Sequence, residues 1–175
     1  MIEEIMFYDN LVLDFIQTMR TPVLDKIMVY LTLLGDKGVL WIICALVMLA
    51  LKKYRKIGIA LVISLFFCFF IGNIWLKPLI ARPRPFETNN FINLLVTAPK
   101  DFSFPSGHTM ASFAGSFTIL SFDKKIGIVF LLLAIFISFS RLYLYVHYFT
   151  DILGGIVIGI IIGKIAVKIT KKFYC

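Results

Sequence analysis

The chain alternates long apolar runs with short clusters of charged residues. A helix needs about 20 mostly apolar residues to cross the hydrocarbon core of a bilayer. The pattern therefore predicts five membrane-spanning helices, at residues 39–51, 57–76, 106–122, 126–145 and 150–167. The first run is short for a complete crossing, so preceding residues or local thinning of the bilayer must help it.

The N-terminal segment has a different pattern. Residues 5–20 are amphipathic, with Asp9, Asp14 and Arg20 among apolar side chains, and a second short apolar helix is predicted at 23–34. These charges favour helices that lie along the membrane surface over helices that cross it. If residues 5–34 instead pack more deeply, the chain has six spans.

Composition supports a membrane protein. Hydrophobic residues make up 60% of the chain and its mean hydropathy is +0.93, against about 45–50% apolar residues in soluble domains. We predict one all-α domain over residues 1–175, a polytopic membrane helix bundle with interfacial helices at 1–36 and the bundle at 37–175. The net charge of +8 fits cytoplasmic loops and anionic lipid, so no nucleic-acid partner is expected.

The distribution of basic residues predicts an orientation. Alternating spans place ten of the 18 basic residues on one side: Lys52, Lys53, Arg55, Lys56, Lys124, Lys125, Lys164, Lys168, Lys171 and Lys172. Five lie on the opposite side: Lys77, Arg82, Arg84, Lys100 and Arg141. The other three, Arg20, Lys26 and Lys37, belong to the N-terminal helices and are not counted; on the opposite side they would reduce the difference. Because basic loops stay in the cytoplasm, the loop at 77–105 is predicted to face outward from the cell membrane.

This outer loop differs from the rest of the chain. Five of the six prolines fall between Lys77 and Pro105, and the segment leads into Ser106, Gly107 and His108. The only other histidine, His147, falls on the same predicted face. Ionisable residues at the ends of membrane helices are costly, which makes them candidates for function.

These residue types indicate phosphate chemistry. Arginine and lysine bind phosphate oxygens, and the N–H groups of Ser106 and Gly107 begin a predicted helix, where anions are stabilised. His147 and Asp151 are four residues apart, so the carboxylate can orient the imidazole as a nucleophile while His108 carries a proton.

The predicted reaction is phosphoryl transfer through a phosphohistidine, without a metal or another cofactor. The cations would neutralise the charge that a metal neutralises in other phosphoryl transferases. Zinc held by His108, His147 and Asp151 is the alternative, disfavoured because the nearby cations repel a divalent ion. The cysteines, Cys44, Cys68 and Cys175, suggest neither a disulfide nor a metal site.

Three motifs in this order resemble the signature of the type 2 phosphatidic acid phosphatase superfamily. They are Lys77 with Arg84-Pro85, then Pro105-Ser106-Gly107-His108, and then Ser140-Arg141 with His147 and Asp151. By this resemblance Lys77, Arg84, Ser106, Gly107 and Arg141 bind phosphate, His108 protonates the leaving group, and His147 attacks with Asp151 as its orienting partner. Arg82 lies outside the signature.

The resemblance extends to bacterial undecaprenyl diphosphate phosphatases, which implies a lipid diphosphate as the substrate and partner. Phosphatidylglycerol phosphate and phosphatidate are the alternative substrates. A lipid-phosphate binding or transport protein without catalysis is a further alternative, which would not need the complete set of two histidines and an aspartate.

Overall fold

The computed structural model describes residues 2–89 and 93–174, and every regular element within them is a helix. The helices are α1 (Ile2–Gln17), α2 (Pro22–Gly35), α3 (Val39–Ala50), α4 (Arg55–Phe67), α5 (Lys77–Ile80), α6 (Pro85–Thr88), α7 (Gly107–Leu120), α8 (Lys124–Tyr143) and α9 (Phe149–Tyr174). The predicted all-α membrane bundle is confirmed.

Helix α7 lies at the centre of the bundle and packs against α8 and α9. Its inner face carries small buried residues, including Ala114 and Ser116. On α9, a Cβ atom added to Gly159 would lie 2.5 Å from the carbonyl oxygen of Met110, and one added to Gly155 would lie 3.0 Å from that of Ser106. The glycines of the last span therefore permit the close helix packing that the sequence predicts.

A nine-residue π-helical stretch, Cys68–Leu76, continues α4 towards the polar loop. The N–H of Lys77 donates to the carbonyl of Gly72, five residues earlier, and Ala81 then ends α5 in a left-handed conformation (φ 47°). π-Helical segments are rare and often occur at functional sites. Here the segment brings Asn73 and Lys77 to the wall of a cavity.

Four helical stretches of the described residues are long and apolar enough to cross a membrane: Pro22–Ala50, Lys52–Thr88, Lys124–Tyr143 and Phe149–Tyr174. The first joins α2 and α3 across a turn at Asp36–Gly38. Helix α7 has 14 residues and is not among the four, because only helices of at least 18 residues are counted. The predicted count of five spans and the interfacial position of residues 1–36 stay predictions.

The N-terminal helices pack on the bundle through polar contacts as well as apolar ones. Helix α2 lies against α8, where Tyr143 donates its hydroxyl to Asp25 at 2.8 Å. Gln17 at the end of α1 donates to the carbonyl of Tyr143 at 3.1 Å. Charged residues that suggest a surface helix from the sequence are thus partly used in helix-to-helix contacts.

Candidate active site

The predicted polar side chains meet around one cavity of about 970 Å³, whose lining includes Lys77, Arg84, His108, Arg141 and His147. They come from the start of α5, the loop after it, the first turn of α7, the last turn of α8 and the α8–α9 connection. Residues that are up to 70 positions apart in sequence therefore share one site.

His147 presents its two ring nitrogens to different partners. Its Nδ1 atom lies 3.5 Å from Oδ2 of Asp151 and 3.4 Å from the hydroxyl of Ser103. Its Nε2 atom lies 3.2 Å from Nη1 of Arg84. A guanidinium group can only donate, so Nε2 is the acceptor and the proton resides on Nδ1. The lone pair of Nε2 is therefore on the side of the ring that faces the cations.

The surroundings of His147 also set its charge. The side chain is 1% exposed, and this burial lowers its pKa well below the ordinary value of 6.5. The positive charges of Arg84 and Arg141 lower the pKa further. The imidazole is consequently neutral at pH 7, which is the form that can act as a nucleophile.

Asp151 is fully buried in the first turn of α9 and is held by several donors. Its Oδ2 atom accepts hydrogen bonds from the hydroxyl of Ser103 at 2.5 Å and from the N–H of Tyr148 at 2.9 Å. The same oxygen faces Nδ1 of His147. The histidine–aspartate pairing expected from the four-residue spacing is present in the structure.

Three buried cations face the cavity. Arg84 is 2% exposed and donates from Nη1 to the carbonyl of Val146 at 2.6 Å. Arg141 donates from Nη1 to the hydroxyl of Thr32 at 2.5 Å, while its Nε has no hydrogen-bond partner in the described residues. A buried donor without an acceptor is costly. Together with Lys77, this arrangement favours an anion in the cavity.

Asp101 occupies part of this cationic cluster. It forms ion pairs with Lys77 and, at 2.7 Å, with Nη2 of Arg84, and its backbone carbonyl accepts from Nε of Arg84 at 2.7 Å. Burial raises the pKa of Asp101, but the hydrogen bond and charge of Lys77 and the charge of Arg84 outweigh this and lower the pKa to about 2. A carboxylate thus sits on two of the predicted phosphate-binding residues.

Ser106 and Gly107 differ in their relation to the cavity. Ser106 is fully buried: its N–H donates to the carbonyl of Asp151 at 3.2 Å, and its hydroxyl accepts from the N–H and hydroxyl of Thr109. It caps α7 and is not among the residues that line the cavity. Gly107 does line the cavity, and a Cβ added there would approach Nζ of Lys77 to 4.0 Å.

His108 lines the same cavity as these cations, from the first turn of α7. Its Nε2 atom has no hydrogen-bond partner among the described residues and lies 4.0 Å from Oδ1 of Asp36. Gly35 leaves the ring its space, since a Cβ there would come within 2.7 Å of Cδ2 of His108. The free nitrogen is available to a ligand in the cavity.

Several residues of the site were not expected from the sequence. Asn73 and Asp101 line the cavity, Ser103 holds Asp151, and Thr32 holds Arg141. Asn73 carried a usable signal, because it is a polar residue inside an apolar run. Thr32, Asp101 and Ser103 carried none, since their roles depend on contacts with distant parts of the chain.

The cavity is lined by apolar side chains as well as by polar ones. The apolar lining includes Leu33, Ile42, Leu65 and Phe69, from α2, α3, α4 and the π-helical stretch. Leu33, Ile42 and Phe69 are also 46–57% exposed on the outside of the bundle. The cavity thus combines cationic and apolar lining, and some of its apolar residues also reach the outer surface of the bundle. No group of three or more His, Cys, Asp or Glu side chains in residues 2–89 and 93–174 is arranged to hold a metal ion.

Comparison with known proteins identifies the family. Residues 53–175 match the PAP2 superfamily. The chain is 36% identical over 147 residues to an undecaprenyl-diphosphatase of Sulfolobus acidocaldarius, covering 83% of this chain and 70% of that protein.

Two solved structures share the fold. The PAP2 type phosphatidylglycerolphosphate phosphatase from Bacillus subtilis superposes with a TM-score of 0.80 at 25% identity, covering 97% of this chain and 88% of that one. LpxE from Aquifex aeolicus superposes with a TM-score of 0.79 at 28% identity, covering 89% and 92% of the two chains.

The chain belongs to the PAP2 superfamily. It is a multi-pass membrane protein and a lipid phosphatase.

Proposed function

We propose that this phosphatase hydrolyses undecaprenyl diphosphate to undecaprenyl phosphate through a phosphohistidine on His147. The observation that carries the proposal is the Nε2 lone pair of a neutral His147, placed 3.2 Å from Arg84 at the edge of a cation-lined cavity. A phosphoryl group bound by Lys77, Arg84 and Arg141 would present its phosphorus to this nitrogen.

The proposed reaction has two steps. In the first, Nε2 of His147 attacks the terminal phosphorus, the bond from that phosphorus to the bridging oxygen breaks, and His108 gives its proton to this oxygen as the lipid phosphate leaves. In the second, His108 takes a proton from water, whose oxygen attacks the phosphohistidine and releases inorganic phosphate and His147. Asp151 stabilises the charge that the imidazole acquires in the first step.

Three features favour undecaprenyl diphosphate as the substrate. A lipid diphosphate head carries about three negative charges, which suits a cavity with three buried cations. The apolar side chains of the cavity lining can contact the first part of a long hydrocarbon chain. The relative in Sulfolobus acidocaldarius is named for the same substrate. Phosphatidylglycerol phosphate is the second candidate, favoured by the likeness to the Bacillus subtilis structure.

The test is a substrate panel with the purified protein in detergent. We expect kcat/KM to be highest for undecaprenyl diphosphate, lower for phosphatidylglycerol phosphate and lowest for phosphatidate. A higher kcat/KM for phosphatidylglycerol phosphate would replace the proposed substrate. Full activity is expected in EDTA, because the cations of the site neutralise the phosphate charge; complete loss in the chelator would refute a metal-free mechanism.

We further propose that the site faces outward from the cell membrane, on the basis of the distribution of basic residues. A cysteine at Thr97, in the exposed loop beside the cavity, would test this in a cysteine-free background. The matched control is a cysteine at Lys125, which lies exposed in the first turn of α8, near the other end of α7. An impermeant thiol reagent should label intact cells at position 97 only. Labelling at 125 only would reverse the orientation.

A further inference from the structure

Arg82, which the family signature does not include, lies against the residue that orients the nucleophile. Its Nη1 atom donates to Oδ1 of Asp151 at 2.6 Å. The other carboxylate oxygen of Asp151 faces His147 and is held by Ser103. Both oxygens of Asp151 are therefore fixed. Among the described contacts of this carboxylate, Arg82 is the only arginine or lysine.

The guanidinium of Arg82 is held from several directions. Nη1 also donates to the hydroxyl of Thr150 at 2.7 Å, and Nη2 donates to Oδ2 of Asp9 at 2.7 Å. The Cζ atom lies 4.0 Å from the centre of the Tyr148 ring. A planar group with this many fixed contacts has a defined orientation, which a lysine in its place would not reproduce.

Asp9 connects the N-terminal helix α1 to this cluster. Its side chain is 1% exposed, although most of its neighbours on α1 are exposed. Oδ1 accepts from the N–H of Thr150 at 2.9 Å, and Oδ2 accepts from the hydroxyl of Thr150 at 2.5 Å as well as from Arg82. A carboxylate is buried at such cost only when it is paired, and here its partners are the first turn of α9 and Arg82.

The charges of the cluster have a consequence for the reaction. Arg82 paired with Asp151 alone would neutralise the carboxylate that faces His147. Because Asp9 shares Arg82, the three groups together carry one net negative charge, and Asp151 keeps the negative potential that stabilises a charged imidazole. The same contacts fix the first turn of α9, from which Asp151 projects.

We propose that Asp9 and Arg82 are positioning residues for the nucleophile, acting through Asp151. Helix α1 is then part of the catalytic machinery, because it supplies the carboxylate that completes the chain of contacts from Asp9 through Arg82 and Asp151 to His147. This inference rests on the proposed role of His147.

The test compares Asp9→Asn with Asp14→Asn in the full-length protein. Both changes remove one negative charge from α1, but Asp14 contacts only the hydroxyl of Tyr145, at 3.4 Å, in the contacts described. With undecaprenyl diphosphate, or whichever lipid the wild type hydrolyses fastest, Asp9→Asn should lower kcat roughly 10- to 100-fold, as loss of supporting hydrogen bonds does in other sites. KM should change less than about threefold, because the phosphate-binding cations are untouched.

A purely structural role for Asp9 would lower the folded fraction and leave the kcat of the folded protein unchanged. The kcat is therefore normalised to the monodisperse fraction from size-exclusion chromatography. Asp9→Glu, which keeps the charge, should recover part of the lost kcat, and Asp14→Asn should keep the wild-type value. Wild-type kcat in Asp9→Asn, or a loss confined to KM, would overturn the proposal.

If Asp9→Asn does not fold, Arg82→Lys gives a second measurement. The Arg82 side chain is 17% exposed, and the lysine keeps the positive charge, so this change is expected to preserve folding. A point charge cannot hold Asp9 and Asp151 together, so kcat should again fall at least about tenfold; an unchanged kcat would overturn the proposal. An inactive wild type would instead refute the proposed function. An active wild type with inactive His147→Ala and unaffected Asp9 and Arg82 variants would refute this inference alone.

Discussion

The contacts of Asp101 predict how a substitution there changes the affinity of the site for anions. Its carboxylate binds Lys77 and Arg84 where a phosphate is expected to bind, so substrate must displace it. Replacing Asp101 with asparagine keeps the size of the side chain and removes the competing charge. We therefore expect Asp101→Asn to bind anions more tightly than the wild type.

The magnitude follows from the pKa. Lowering the pKa of Asp101 from 3.8 to about 2 corresponds to about 2.4 kcal/mol in favour of the charged carboxylate. The side chain is 54% exposed, so solvent screening reduces the free energy of its interaction with the two cations to about 1 kcal/mol. That free energy corresponds to a factor of about five in affinity.

The assay is competitive inhibition of lipid hydrolysis by inorganic phosphate in detergent micelles. We expect the inhibition constant to fall about fivefold in Asp101→Asn. Asp14→Asn is the matched control, because it makes the same change in net charge without touching the cations, and it should leave the constant unchanged. An unchanged or higher inhibition constant in Asp101→Asn would show that Asp101 supports the phosphate site and does not compete for it.

Two further predictions concern the nucleophile and the bundle. Burial and nearby cations lower the pKa of His147, so its neutral form persists below pH 6.5. In a pH profile of kcat/KM corrected for ionisation of the substrate, the acid limb should therefore have its midpoint below pH 6.5. A midpoint at or above pH 6.5 would show that His147 is not held neutral. Gly159→Ala should cost about 1–3 kcal/mol through the contact with the Met110 carbonyl and lower the Tm in detergent, whereas Val157→Ala, on an exposed face of the same helix, should change it little. Equal Tm values for the two variants would refute the packing argument.

The sequence was sufficient to predict the helical bundle and to pick out five polar residues that line one cavity: Lys77, Arg84, His108, Arg141 and His147. Apolar runs predict the helices, and the motif spacing identifies residues that the structure brings to one cavity. The four-residue separation of His147 and Asp151 predicts a contact that is local to the start of one helix, which is why the pairing is present.

The remaining features depend on long-range contacts. Asp9 and Arg82 are 73 residues apart, and nothing in either segment indicates that they pair. Charges on α1 suggest an exposed helix, yet Asp9 is buried because Arg82 and Thr150 satisfy it. The N–H of Ser106 donates to the Asp151 carbonyl because α9 lies close to it, a contact that the motif does not indicate. The π-helical stretch has no periodicity distinct from an apolar α-helix.

In the proposed reaction His147 accepts the phosphoryl group. The most direct measurement is acid-free rapid quenching with undecaprenyl diphosphate labelled at its terminal phosphate, applied to the wild type and to His147→Ala. We predict a base-stable, acid-labile phosphate on the wild-type protein, none on His147→Ala, and a loss of turnover of at least about 1,000-fold in the variant. A His147→Ala protein that turns over at the wild-type rate would show that His147 is not the nucleophile.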